Sequence, residues 1–170
     1  MSDPVKRIDA TLKYLSGAEA GDAAFKRSLK GKRKGSTIDS YYREAFEEAY
    51  VKAALWSTTD ESNESGGKPM EDNYGWKDFA PSTKRAVKKD CADFVRKGKG
   101  DLETARDQYG MDAEKAGHNF WLTREGHGSG FWDEDMDEVG ERLTELSEKF
   151  GEGGLYVGDD GKVYQMGRER

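Results

Sequence analysis

The sequence predicts an α+β fold: a small antiparallel sheet of two hairpins packed against three to four helices, behind a helical basic N-terminal arm. Three observations carry that prediction. Apolar residues recur at helical spacing in separate blocks, best over 40–56, 82–97 and 135–150. Two other blocks, 118–132 and 155–164, set aromatic or β-branched residues on either side of glycine-rich turns. The order helix, helix, hairpin, helix, hairpin places helices on one face of a sheet instead of alternating them with parallel strands.

Asp3-Pro4 opens the first element as an acidic N-cap followed by proline at the first helical position. Val5, Ile8, Leu12 and Leu15 follow at helical spacing, and the alanine-rich 18–30 reads as a second short helix. A basic linker, Lys30-Gly31-Lys32-Arg33-Lys34-Gly35-Ser36, comes next. Residues 1–36 therefore form an arm with nine Lys/Arg against four Asp/Glu, net +5, and 37–170 a single α+β domain of net −11. Over 40–56, Tyr42, Ala45, Phe46, Ala49, Tyr50, Ala53, Ala54 and Trp56 give a broad apolar face, with Asp39 or Ser40 as N-cap. Ser57–Lys77, rich in Ser, Gly, Asn and acids, reads as a loop, and a loop of that length signals function or disorder.

Pro81-Ser82 opens a helix over 82–97, with Val87, Cys91, Phe94 and Val95 inward and Gly98 and Gly100 ending it. Residues 101–109 and 112–116 read as short helical turns. The first hairpin is expected over 118–132. Met136, Val139, Leu143, Leu146 and Phe150 then mark an amphipathic helix over 135–150. Finally, Leu155-Tyr156-Val157 and Lys162-Val163-Tyr164 pair through Gly158-Asp159-Asp160-Gly161, whose Asp-Gly step is a hairpin signal.

Composition bounds the function. The chain is 34 % hydrophobic and 36 % charged, so its core is lean. Seven Phe, eight Tyr and four Trp compensate, since each aromatic buries roughly 150–250 Å². A single cysteine excludes an intramolecular disulfide, and Cys91 on an apolar helix face reads as a buried, inert thiol. The first twenty residues are a charged amphipathic stretch rather than a secretory signal. No apolar run approaches the ~18–20 residues of a membrane span. The expectation is a cytoplasmic protein with no membrane partner.

The densest block for chemistry is His118-Asn119-Phe120-Trp121-Leu122-Thr123-Arg124-Glu125-Gly126-His127-Gly128-Ser129-Gly130-Phe131-Trp132-Asp133, which holds both histidines and two of the four tryptophans. Read as a strand, it puts Phe120 and Leu122 on one face and Trp121 on the other, leaving Trp121 and Trp132 to form a binding surface or to bury under a helix. His127, between two glycines, is the candidate general base, with Asp133 or Glu125 to orient it. The glycine-rich turn 126–130 lacks the Lys-Ser/Thr of a P-loop, so it reads as a wide hairpin turn rather than a phosphate cradle. The histidines lie too far apart along a strand to share a metal, and one cysteine does not complete a zinc site. No metal and no cofactor is expected.

Asp133-Glu134-Asp135-Met136-Asp137-Glu138 has the acids of a calcium loop. An EF-hand starting at Asp133 would need Gly at 138 and Glu at 144, and the chain has Glu138 and Thr144. Acids in a first helical turn complement the macrodipole instead. From Asp133 to Asp160 there are eleven acids against Arg142 and Lys149, a net of −9. Such a surface suits a basic partner, with Asp135, Asp137 and Glu141 at its centre. The opposite sign concentrates at Lys30, Lys32, Arg33 and Lys34, and at Lys84, Arg85, Lys88 and Lys89, which would neutralise phosphates.

Ala54-Leu55-Trp56-Ser57, Asn73-Tyr74, Asp90-Cys91-Ala92-Asp93-Phe94, the block from Ala116 to Asp133, and Tyr156-Val157-Gly158-Asp159-Asp160-Gly161 together carry a resemblance. Over about 50–165 the chain resembles a group of small, uncharacterised proteins encoded by phages and prophages. The aromatic His-Gly block is the most specific part. The resemblance implies a viral context and a host cytoplasm, and brings no catalytic residues with it.

The leading expectation is a non-enzymatic phage accessory protein. It would bind a host or phage protein linked to nucleic-acid handling, in counter-defence or host takeover. The alternative is direct nucleic-acid binding through the arm and the Lys84–Lys99 helix. A small hydrolase or nuclease using His127, and a virion structural protein, are the remaining readings.

Overall fold

The structure, a computed structural model, describes residues 37–62 and 66–166. The expected arm, 1–36, lies outside them, and the packed unit described here begins at Tyr42. The fold is α+β. Five helices are described: α1 (Thr37–Ser57), α2 (Pro81–Lys97), α3 (Lys99–Tyr109), α4 (Ala113–Arg124) and α5 (Asp137–Glu148). Two separate antiparallel pairs accompany them: β1 (Thr59–Asp60) with β2 (Lys68–Pro69), and β3 (Leu155–Val157) with β4 (Val163–Gln165). Among the described residues, no helix is long and apolar enough to cross a membrane.

The helices over 40–56, 82–97 and 135–150 lie where their periodicity puts them, and the Asp-Gly hairpin pairs Leu155 with Gln165 and Val157 with Val163. The element expected as a hairpin over 118–132 is instead α4, followed by a loop and a 3-10 turn at Phe131–Asp133. Asp112 caps α4 by accepting the Lys115 N–H at 2.8 Å. Ala113, Ala116, Gly117, Phe120, Trp121 and Arg124 then run at i, i+3, i+4, i+7, i+8 and i+11, and all are buried. Asn119, Leu122 and Thr123 are buried as well. A helix buried on most of its circumference loses the polar stripe that marks a surface helix. That is why Phe120-Trp121-Leu122 resembled a strand. The second hairpin of the fold lies inside the expected 57–77 loop, where β1 pairs with β2 and two 3-10 turns follow.

α4 is the axis of the core. Phe120 stacks on Phe94 of α2 with ring centroids 4.0 Å apart, and packs on Phe46 and Tyr50 of α1. Gly117 sets how closely α1 approaches, because a Cβ there would stand 2.1 Å from the Phe46 carbonyl oxygen. Cys91 is buried in the same cluster, and burial pushes its thiol well above the ordinary range.

A buried ion pair sits inside this core. Arg124, at the end of α4, donates to Asp90 Oδ2 at 3.1 Å, Tyr50 Oη at 2.7 Å, and the carbonyl oxygens of Phe150 and Gly151. The Phe120 ring lies 5.4 Å from its guanidinium carbon. Four acceptors from α1, α2 and the α5–β3 turn thus converge on one side chain and fix the end of α4, where the next element of interest begins.

Candidate functional site

α4 unwinds into the candidate site. The N–H groups of Glu125, Gly126 and His127 turn back to the carbonyls of Trp121, Thr123 and Leu122. This holds Glu125 and His127 at the rim of a cleft of about 490 Å³. The cleft lies between the end of α1, the β1–β2 pair, the end of α4, and β3 with Met166. Ser57, Glu61, Glu125, His127 and Tyr156 are among the polar residues that line it.

Glu125 is the fixed charge of this cleft. One carboxylate oxygen, Oε1, accepts the Gly153 N–H. Burial raises the carboxyl above its ordinary range, against the opposing pull of that N–H, Arg124 and His127. A Cβ on Gly153 would meet Gln165 Nε2 at 2.7 Å and Trp121 at 3.2 Å, so a larger residue there would have to displace the Gln165 amide. The Trp121 indole N–H donates to Ser57 Oγ at 2.7 Å, and Ser62 Oγ donates to Asp60. Among the described residues no hydroxyl bonds to His127 or Glu125. Among the described residues the cleft therefore brings a carboxylate and an imidazole to one rim without a hydroxyl bonded to either.

The expected site residues separate into two places. His127 joins Glu125 at the cleft; Asp133, in the 3-10 turn, does not line it. Two N–H groups of the 126–130 turn are committed to α4 carbonyls, which removes them from any anion cradle. Trp121, for which a binding surface and burial under a helix were both open, is a core residue at 1 % exposure whose edge borders the cleft. The strand reading had split Phe120 and Trp121 between two faces, whereas a helix buried nearly all round encloses both. Trp56 is the reverse case: placed on the apolar face by periodicity, it is 54 % exposed at the end of α1 and packs on His118 with centroids 6.1 Å apart.

Trp132 is 55 % exposed at the head of the acidic stretch. Asp135, Asp137 and Glu141 are exposed, as are ten of the eleven carboxylates between Asp133 and Asp160. Asp135 and Asp137 take positive φ of 49° and 48° on either side of Met136, which is buried. The exception is Glu134. Burial works to raise its carboxyl, but Lys115 and Asn119 donate to it and hold it below the ordinary range. The only two cations of the stretch are Arg142, already paired with Asp101 at 2.7 Å, and Lys149.

On α2 the basic face is partly neutralised. Lys89 and Arg96 both pair with Asp93, and Lys84 lies over the Trp76 ring at 5.6 Å. Arg85 and Lys88 are exposed. Lys30, Lys32, Arg33 and Lys34 lie outside the described residues.

Sequence reasoning missed Tyr156 at the cleft and Trp56 at the surface. Tyr156 was visible only as a strand residue. The cleft itself arises from contacts between segments up to about a hundred residues apart, for which no local pattern exists. No protein family, curated protein or solved structure matches this chain.

Proposed function

We propose that this chain is a small phage-encoded accessory protein that binds a basic protein partner linked to nucleic-acid handling, without chemistry of its own. The observation that carries this reading is the surface from Trp132 to Asp160. Its exposed carboxylates far outnumber its cations, and an exposed tryptophan stands at one end. Acidic surfaces of this density steer cationic partners and select against anionic ones. An exposed Trp is a typical anchor of a binding hot spot. The mutual pairing within α2 lowers the charge that helix offers to phosphates, so the nucleic-acid alternative rests chiefly on the arm.

The test is a pull-down with tagged protein from host lysate, with and without nuclease. It compares the natural chain with a variant carrying Asp135→Asn, Asp137→Asn and Glu141→Lys. Asn is chosen at 135 and 137 because it tolerates positive φ where Lys does not. The expected outcome is one stoichiometric protein that survives nuclease and is lost from the variant. Equal retention by the variant would end the acidic-surface reading, and loss of all partners on nuclease treatment would move the function to nucleic-acid binding.

A further inference from the structure

We propose that the cleft at the end of α4 is a binding site for an organic cation, a guanidinium or alkylammonium group, held by Glu125 beside Tyr156. The cleft shares Gly154, Leu155, Tyr156 and Val157 with the acidic stretch but none of Asp135, Asp137 or Glu141, so the proposal stands without the binding role given to those three. The argument begins with what lines the cleft. Among the described residues its charged groups are Glu61 and Glu125, His127 is the only basic side chain, and no Lys or Arg lines it. An anion would meet two carboxylates. A neutral apolar ligand would complete the desolvation of Glu125 and give it no partner, which is costly for a carboxylate. A cation satisfies it.

The geometry is ready for such a partner. The Gly153 N–H holds Oε1, so the carboxylate is oriented, and Oε2 has no hydrogen-bond donor among the described residues. Gln165 borders the same point across Gly153. It is 3 % exposed, and neither its amide nitrogen nor its amide oxygen has a hydrogen-bond partner. Gln165 does not line the cleft; it leaves hydrogen-bonding capacity unused behind Gly153, which is unusual for buried polar groups. Tyr156, stacked on Tyr164 with centroids 5.6 Å apart, offers an aromatic wall that attracts cations. Trp121, its N–H already committed to Ser57, adds carbon surface. A volume of about 490 Å³ suits an arginine-sized group and lies within the ~300–1,000 Å³ range of small-molecule sites. The burial that raises the Glu125 carboxyl is relieved when a cation arrives.

The same chemistry has two sources, a side chain of a peptide or a free amine, and the test separates them. Amide resonances of the full-length protein are followed by NMR at neutral pH during titration with N-acetyl-argininamide, with putrescine, and with N-acetyl-glutaminamide as the neutral control. The expected result is saturable movement at Glu125, His127, Gly154 and Tyr156 with a dissociation constant of about 1 mM or tighter. The neutral control should give none, and Glu125→Gln should weaken binding about tenfold or more, a loss of roughly 1.4 kcal/mol. Stronger binding of argininamide assigns the site to a peptide side chain, and stronger binding of putrescine to a free amine.

Glu125→Gln is expected to fold, because its amide oxygen still accepts the Gly153 N–H. Since the native carboxyl is raised above 4.5, the natural chain loses stability relative to the variant as pH climbs from 4.5 through the native value. The Tm of Glu125→Gln should therefore exceed that of the natural chain at neutral pH. The Asp135→Asn, Asp137→Asn, Glu141→Lys variant should bind the probes unchanged, whatever the fate of the acidic-surface reading. Equal binding by Glu125→Gln, no saturable movement with either cation, or movement confined to 133–152 would overturn the proposal.

Discussion

Arg124 shows what a single residue does to this fold. Its guanidinium and the Asp90 carboxylate are both out of solvent, at 0 % and 2 % side-chain exposure. Taking two ions from water costs several kcal/mol each, and only good geometry and further hydrogen bonds offset it. Here Nε, Nη1 and Nη2 all have acceptors, and Tyr50 supplies one of them. Burial pushes the Tyr50 phenol far above its ordinary range, so it stays neutral, an acceptor toward Arg124. Removing one partner leaves the other charge alone in the core. Asp90→Ala should lose about 3–5 kcal/mol in urea denaturation followed by far-UV circular dichroism. Arg124→Lys should also be strongly destabilised, because an ammonium does not reproduce the planar fork that reaches acceptors on three sides. A loss below about 1 kcal/mol for Asp90→Ala would mean that water or a shifted backbone solvates Arg124.

At the scale of elements, the crossing of α1 and α4 is decided by one missing side chain. A Cβ at Gly117 would stand 2.1 Å from the Phe46 carbonyl oxygen and 2.9 Å from its carbon, and both are backbone atoms that no rotamer change removes. The helices would have to separate, taking apart the stacked cluster of Phe46, Phe94 and Phe120. Gly117→Ala should cost about 3 kcal/mol or more, the upper end for overpacking. Asp112→Ala, which removes only the cap of α4, should cost about 1 kcal/mol. Thermal melts of the two variants side by side check the ranking, and reversal of the order would show that α4 docks less tightly than its contacts imply. The same helix marks the limit of what the sequence made legible. Helices with one polar face were readable, because their period survives in the residues, and so was the Asp-Gly hairpin. α4 was not, because burial on nearly every side erases the contrast on which period reading depends. Its cap at Asp112 and the spacing Ala113, Ala116, Phe120 were signals for a helix, outweighed by the run Phe120-Trp121-Leu122 beside glycines. Of the candidate site, His127 with Glu125 was legible as one of two pairings. Its walls at Ser57, Tyr156 and Met166 were not, since they meet only in three dimensions.

Over the whole molecule the charges are divided rather than mixed. The chain carries −6 overall, yet 1–36 carries +5 and 37–170 carries −11. A uniform surface of the same total would exert little steering, whereas a one-sign face focuses potential and raises encounter rates by about 10–10³. Exposed charges act through solvent and are screened beyond a Debye length of about 8–10 Å near physiological salt. The acidic face should thus show itself in association rates more than in dissociation rates. For a partner captured by the natural chain, the association rate should fall by about tenfold or more between low and high salt, with the dissociation rate changing little. Replacing Lys30, Lys32, Arg33 and Lys34 by Gln should leave that salt response intact or strengthen it, because these substitutions only make the chain more acidic. If phosphates of a nucleic acid were the target, the same four substitutions would weaken binding and flatten its salt dependence, since each neutralised phosphate contributes to the slope. Surface plasmon resonance with the natural and four-fold variant chains, over a series of salt concentrations, separates the two by the direction of the change.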